Sequence, residues 1–165
     1  DFLYHPPKDG RQVVFICTGT GIAPFRAMLL SDYFQEHAPE KAMIVYGART
    51  DDEVLYQELF EANGVKVVNA ISQPSPGWKG FKGRVTDYLR SLPTDWAWHS
   101  SDYYICGNGG MIAEVKRILT DGHGVASRHV HQEAYFTVHI PGEHGPAPIG
   151  ADDVRTAPSK GKKVA

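Results

Sequence analysis

Two glycine-rich stretches carry most of the chemistry this sequence offers. The first is Thr18-Gly19-Thr20-Gly21-Ile22-Ala23-Pro24, which follows a short apolar run and opens a helix-like pattern. Glycine lacks the Cβ that would hold a pyrophosphate away from the backbone, and a helix start offers free N–H groups and the positive end of a dipole. Thr18 and Thr20 add hydroxyl donors. The spacing is G-x-G-x-x-P, not the G-x-G-x-x-G of the usual dinucleotide fingerprint. On its glycines alone the turn reads equally as a tight turn or as a phosphate cradle.

The second stretch, Cys106-Gly107-Asn108-Gly109-Gly110-Met111, repeats the strand-to-helix arrangement. Two such turns in one sheet point to a shared, elongated ligand such as a dinucleotide. Cys106 stands where a strand meets that ligand; its plain alternative is a small buried hydrophobe. Arg49 and Arg84 divide evenly between nucleotide contacts and surface ion pairs. His129 and His131 put two imidazoles on one strand face with Glu133 in line, but further ligands at a known spacing are missing and no metal is expected. Trp78, Trp96 and Trp98 read as packing or loop anchors, and Arg26 as a helix-surface charge.

These residues need elements to position them. Residues 12–17 (QVVFIC), 42–46 (AMIVY), 65–71 (VKVVNAI), 103–106 (YYIC) and 128–133 read as strands. Helices are expected over 24–37, with Phe25, Leu29 and Tyr33 on one stripe, and over 53–63, with Leu55, Leu59 and Ala62 inward. A short helix carrying Val85, Leu89 and Leu92 ends at Pro93; another carries Met111, Val115, Ile118 and Leu119 and ends at Gly122. A Pro- and Gly-rich loop is expected from 72 to 83. Strands alternating with helices make an α/β fold, a parallel sheet covered on both faces. Ligands of such sheets bind at the carboxyl ends of the strands, where the strand order reverses. Both glycine-rich turns fall at those ends.

Five motifs, in order over residues 10–136, give the chain a resemblance to the nucleotide-binding domain of the ferredoxin–NADP⁺ reductase family. They are TGTGIAPFR from Thr18 to Arg26, YGAR from Tyr46 to Arg49, the stretch from Ser72 to Gly83-Arg84-Val85, CGNGGMI from Cys106 to Ile112, and E-x-Y-F from Glu133 to Phe136. The resemblance implies a doubly wound parallel sheet of five strands, order 3-2-1-4-5, with helices on both faces. It implies that NADH or NADPH is held against a flavin, FAD or FMN, carried on another domain. Thr18, Gly19, Thr20, Gly21 and Pro24 would hold the pyrophosphate and one face of the nicotinamide. Cys106 and Gly107 would lie near its reacting carbon, with Met111 supporting the turn and Asn108 touching the adenosine side or capping the turn. Arg49, Ser72, Gln73 and Arg84 fall where the family grips the adenine-ribose end. Glu133 matches an acidic residue near hydride transfer, and Tyr135 an aromatic covering the flavin, with Phe136 next in line.

The chain also departs from that pattern. Gln73 stands where NADPH-preferring members often carry arginine, which inclines the reading to NADH, although Arg49 and Arg84 can supply charge to a 2′-phosphate. Gly109 replaces the more common proline, and the flavin-binding R-x-Y-[S/T] motif occurs nowhere in the chain. Residues 1–10 are therefore expected to be a linker, 11–136 the NAD(P)-binding domain, and 137–165 a Gly/Pro-rich mobile tail in which Lys160, Lys162 and Lys163 form a solvated cluster. The flavin domain is expected upstream or on another subunit.

Composition bounds the rest. The chain has 165 residues, 42% hydrophobic and 22% charged, with a net charge of −2, the balance of one globular domain without the basic field of a nucleic-acid binder. No apolar run is long enough to span a bilayer. Two cysteines make no disulfide framework and fit a reducing, cytoplasmic compartment. The reading is the NAD(P)H-binding part of a flavin-dependent reductase whose flavin passes electrons to a ferredoxin, haem protein or oxygenase. The alternative is a nucleotide-binding or regulatory module without turnover. A dehydrogenase acting directly on a small substrate is disfavoured, since no proton-relay set stands beside the glycine-rich turns.

Overall fold

A computed structural model of the chain describes residues 2–136. The expected tail, 137–165, lies outside them. The elements run β1 (Gln12–Thr18), α1 (Ile22–Leu29), α2 (Asp32–Glu36), β2 (Ala42–Ala48), α3 (Gln57–Ala62), β3 (Val65–Ile71), β4 (Phe81–Lys82), α4 (Val85–Ser91), β5 (Ser101–Asn108), α5 (Gly109–Arg117) and β6 (Val130–Phe136). All strand pairs are parallel, and the order is β4-β3-β2-β1-β5-β6.

The expected strands keep their expected order, but the sheet has six strands rather than five. The added edge, β4, lies inside the stretch expected to be a loop and pairs Phe81 with Ala70 and Lys82 with Ile71. Two residues are too few to show an alternating pattern in sequence. What holds them is the edge of β3 and packing around it: the Trp78 indole N–H, three residues back, donates to the Phe81 carbonyl at 3.3 Å, and the Phe81 ring meets Tyr88 edge-on at 5.3 Å.

Strand residues alternate between two apolar layers. Val14 and Ile16 pack with Val85 and Leu89 of α4 and with Ile112 and Val115 of α5. Val13, Phe15 and Cys17 pack with Phe25 and Leu29 of α1, Phe34 of α2 and Phe60 of α3. The strand order reverses between β1 and β5, and the connections leaving their carboxyl ends diverge there to leave a crevice. The N-terminal segment joins the second layer. Tyr4 is buried against Phe34, with its hydroxyl donating to the His37 carbonyl at 2.8 Å.

Two helix readings change. The helix expected over 24–37 breaks at Ser31, whose hydroxyl donates to the Met28 carbonyl (2.6 Å) and accepts from the Phe34 N–H (3.1 Å). The break shifts the helical phase, so Phe34 rather than Tyr33 turns inward; Tyr33 is 51% exposed and Phe34 2%. The helix expected over 53–63 shrinks to α3, preceded by a 3-10 turn at Asp51–Glu53. Leu55 lies outside α3 and is exposed, while Phe60 takes the inward position. Tyr56 precedes α3 in the left-handed region, φ 59°, with the Arg26 guanidinium 5.1 Å from its ring centre. Arg26 thus reaches across to the β2–α3 loop.

The last strand starts later than the expected residue 128, because Ser127–His129 forms a 3-10 turn held by a bond between His129 Nδ1 and Asp102 Oδ1 at 2.7 Å. His131, in β6, stacks on Tyr104 with ring centres 4.6 Å apart. The two imidazoles do not share a strand face as the sequence pattern proposed. Trp98 is buried, stacked on His123 at 3.7 Å and edge-on to Trp96.

Candidate functional site

The carboxyl ends of β1, β2, β3 and β5 open on one cleft of about 1150 Å³. One wall is the turn after β1. Gly19 there has φ +52°, a conformation that side chains rarely adopt. Gly21 lies against the end of β5, where a Cβ would run into the Cys106 carbonyl oxygen and stand 2.9 Å from its carbon. Only glycine lets the two strand ends approach this closely. Pro24 is the third residue of α1, where the absent N–H costs no helical bond, and it does not line the cleft.

The opposite turn follows β5. Asn108 caps α5, its Oδ1 accepting the Met111 N–H at 2.9 Å, so the helix begins at Gly109. A Cβ on Gly107 would press on the Met111 methyl and come within 2.9 Å of Thr18 Oγ1. Thr18, Gly107 and Met111 are therefore packed together across the crevice, and all three line the cleft with Thr20, Asn108 and Tyr135. Both α1 and α5 start at this crevice, and the first N–H groups of each have no partner within their own helix.

Cys17 and Cys106 are register partners on β1 and β5, and Cys106 pairs in turn with Glu133 on β6. Cys106 is fully buried beneath the cleft rather than lining it. Burial, with the Glu133 carboxylate adding to it, pushes its thiol up to about 11; the nearby Tyr135 hydroxyl partly offsets this. Burial, and then Cys106, push the Cys17 thiol up as well. Glu133 is exposed and stands outside the cleft lining, whereas Tyr135, 43% exposed, lies within it.

Away from the crevice the cleft runs to Arg49, Ser72, Gln73 and Arg84. Arg49 Nε donates to Gln73 Oε1 at 3.1 Å. Neither Arg49 nor Arg84 forms an ion pair among the described residues. Glu53, Leu55, Tyr46, Thr86 and Glu114 also line the cleft, and sequence reasoning singled out none of them as site residues. For Glu53 a signal existed. Thr50-x-x-Glu53 has the capping-box spacing, and the carboxylate accepts from the N–H groups of Arg49 (3.1 Å) and Thr50 (3.2 Å). Tyr46 opens the YGAR motif, and strand register brings it to the cleft; for Thr86 no signal existed, and helix packing places it there. Among the described residues no group of three or more His, Cys, Asp or Glu side chains is placed to hold a metal ion. No described helix is long and apolar enough to cross a membrane.

The chain matches the family described as "Oxidoreductase NAD-binding domain" over residues 15–117. The chain belongs to that family. As an NAD-binding domain it is 30% identical over 138 residues to ferredoxin–NADP reductase B of Sorangium cellulosum (strain So ce56), covering 78% of this chain and 56% of that protein. It is 30% identical over 123 residues to a component of the Na(+)-translocating NADH-quinone reductase of Haemophilus influenzae (strain 86-028NP), covering 69% and 30%. The fold of the NAD-binding domain is shared with an Amycolatopsis cytochrome P450 reductase at a TM-score of 0.66 and 23% identity, over 82% of this chain and 41% of that one. The chain spans about half of the first of these relatives and less of the second.

Proposed function

We propose that this NAD-binding domain holds NADH or NADPH in the cleft and presents the nicotinamide to an FAD or FMN carried on a separate domain or subunit. The observation that carries the reading is the shared cleft. Two glycine turns face each other at the reversal point of the sheet, and the same cleft ends at two guanidiniums without carboxylate partners among the described residues. A dinucleotide is long enough to use both ends. The bound coenzyme supplies a hydride; the chain's own residues bind, orient and exclude water. Thr18 to Gly21 and the starts of α1 and α5 suit the pyrophosphate. Gly107, held between Thr18 and Met111, leaves room for a flat ring above the buried Cys106. Tyr135 is placed to cover the flavin side and to yield when nicotinamide stacks. Glu133 is placed beside the same spot. The acceptor beyond the flavin is a one-electron partner of the ferredoxin, haem-protein or oxygenase kind, in a reducing compartment that keeps Cys17 and Cys106 as thiols.

Calorimetric titration of the chain with NADH and NADPH tests binding. Gln73 brings no charge to a 2′-phosphate, which favours NADH, while Arg49 and Arg84 favour NADPH. Clearly tighter NADPH binding that collapses in Arg84→Ala assigns that guanidinium to the 2′-phosphate, with a loss of roughly ten- to hundredfold. Tighter binding of NADH retains the NADH reading. In the whole flavoprotein, stopped-flow flavin reduction should slow in Cys106→Ala and Glu133→Gln more than coenzyme binding weakens. Wild-type hydride rates in both variants would remove these two residues from the reacting end.

A further inference from the structure

The pairing of β2 with β3 ends at Ala48 and Ile71, yet the chain-to-chain bonding continues beyond the sheet. The Ser72 N–H donates to the Ala48 carbonyl at 3.2 Å and the Gln73 N–H to the Arg49 carbonyl at 2.7 Å. Arg49 Nε then reaches Gln73 Oε1. Farthest out, Ser75 closes the series on Asp51, its N–H donating to Oδ1 and its hydroxyl to Oδ2, both at 2.7 Å. Arg49, Ser72 and Gln73 line the cleft; Asp51 and Ser75 do not. The β3–β4 loop is also stiff where it is tied. Gln73 and Ser75 each precede a proline, Pro74 and Pro76, which keeps both out of helical conformations. A stiff segment anchored at its far end is oriented along its whole length.

We infer, resting on the coenzyme-binding reading above, that Asp51 and Ser75 are positioning residues for the adenosine half of the coenzyme. They latch the β2–α3 loop to the β3–β4 loop and so fix Arg49, Ser72 and Gln73 as one wall. As a carboxylate Asp51 accepts both bonds at their strongest. The Ser75 hydroxyl and N–H hold its pKa below the usual carboxylate range, so the latch is closed throughout the neutral pH range. Both residues sit on surface loops away from the two apolar layers, so their loss alters the wall without emptying the core.

The test is calorimetric titration of the 165-residue chain with 2′,5′-ADP and 5′-ADP, ligands that carry only the adenosine end. Asp51→Ala and Ser75→Ala should each weaken the ligand that wild type binds by about tenfold, the scale of a lost charge-assisted bond discounted for solvent. Ser75→Thr keeps the hydroxyl and should restore binding to within about twofold of wild type, a rescue that loop damage in general would not give. Alanine variants that bind like wild type, or a threonine variant as weak as alanine, would overturn the latch. A wild-type chain that takes neither ligand would instead overturn the coenzyme reading on which it rests.

Discussion

Cys106 sits between two register partners, Cys17 on β1 and Glu133 on β6, and has no exposed surface. A thiol held up to about 11 by burial and then by Glu133 is protonated at neutral pH, and a protonated thiol is neither a nucleophile nor a metal ligand. What remains is its size and polarisability, the properties that suit a contact beneath a flat ring. The raised value also has a consequence for stability. A thiol whose folded pKa exceeds its unfolded value stabilises the fold fully below the unfolded value, 9.0, and that contribution is lost as pH rises toward about 11. Urea midpoints should therefore fall between pH 9 and 11, and fall less steeply in Cys106→Ala. At pH 7 the same variant should cost about 1 kcal/mol, as a typical point substitution does. Parallel pH profiles in the two proteins would show that the thiol does not titrate with unfolding.

At the scale of elements, Ser31 decides how the first crossover packs. Phe25, Leu29 and Tyr33 fit a single helical stripe, and nothing in that periodicity marks the interruption. In the structure the Ser31 hydroxyl caps α2, and the turn it makes rotates Phe34 into the layer that holds Phe15 and Tyr4. Removing a capping hydroxyl costs about 0.5–2 kcal/mol. Ser31→Ala should lower the urea unfolding free energy by about 1 kcal/mol and leave nucleotide affinity unchanged, since Ser31 is no part of the cleft. An unchanged unfolding curve would mean that packing of Phe34 alone sets the break. The second crossover carries a similar lesson. Leu55, Leu59 and Ala62 suggest an inward face, but the capping by Glu53 and the left-handed Tyr56 delay the helix, leaving Leu55 in the cleft wall and Phe60 in the core.

Across the whole molecule, the end of the sheet opposite the cleft is held by a partly buried cluster around Asp102. Asp102 Oδ1 accepts from Arg11 Nε at 2.7 Å and bonds His129 Nδ1 at 2.7 Å. Arg11 also donates to the carbonyls of His99 (2.7 Å) and Ser101 (2.6 Å). The cluster ties the segment entering β1 to the starts of β5 and β6, strands that are adjacent only after folding. Removing the carboxylate leaves the partly buried Arg11 guanidinium, among the described residues, with backbone carbonyls as its only partners and no opposite charge, which is costly. Asp102→Asn should destabilise the chain by about 3 kcal/mol in urea unfolding while its coenzyme affinity, measured below the transition, stays at the wild-type value. A parallel loss of affinity would show that the two ends of the sheet are coupled through β5.

Fold class and the two glycine turns were legible in the residues themselves. Apolar β-branched runs alternate with helical periodicity, and glycine is the residue that can follow a strand into a tight, ligand-facing turn. The order of the main strands matched expectation because motif order carries topology, and the structure places Thr18, Gly107, Arg49, Gln73 and Arg84 around one cleft. The tertiary structure alone decided the rest. Phe81–Lys82 is a strand because Trp78, Tyr88 and the end of β3 hold it there, not because two residues have a pattern. Cys106 lies beneath the cleft and not in its lining because a parallel strand buried on both faces sends alternate side chains away from its end. His129 leaves the strand because a carboxylate on β5 claims it. Periodicity reports which residues are apolar and how they repeat locally; partners distant in sequence fix where an element starts, stops and turns its face.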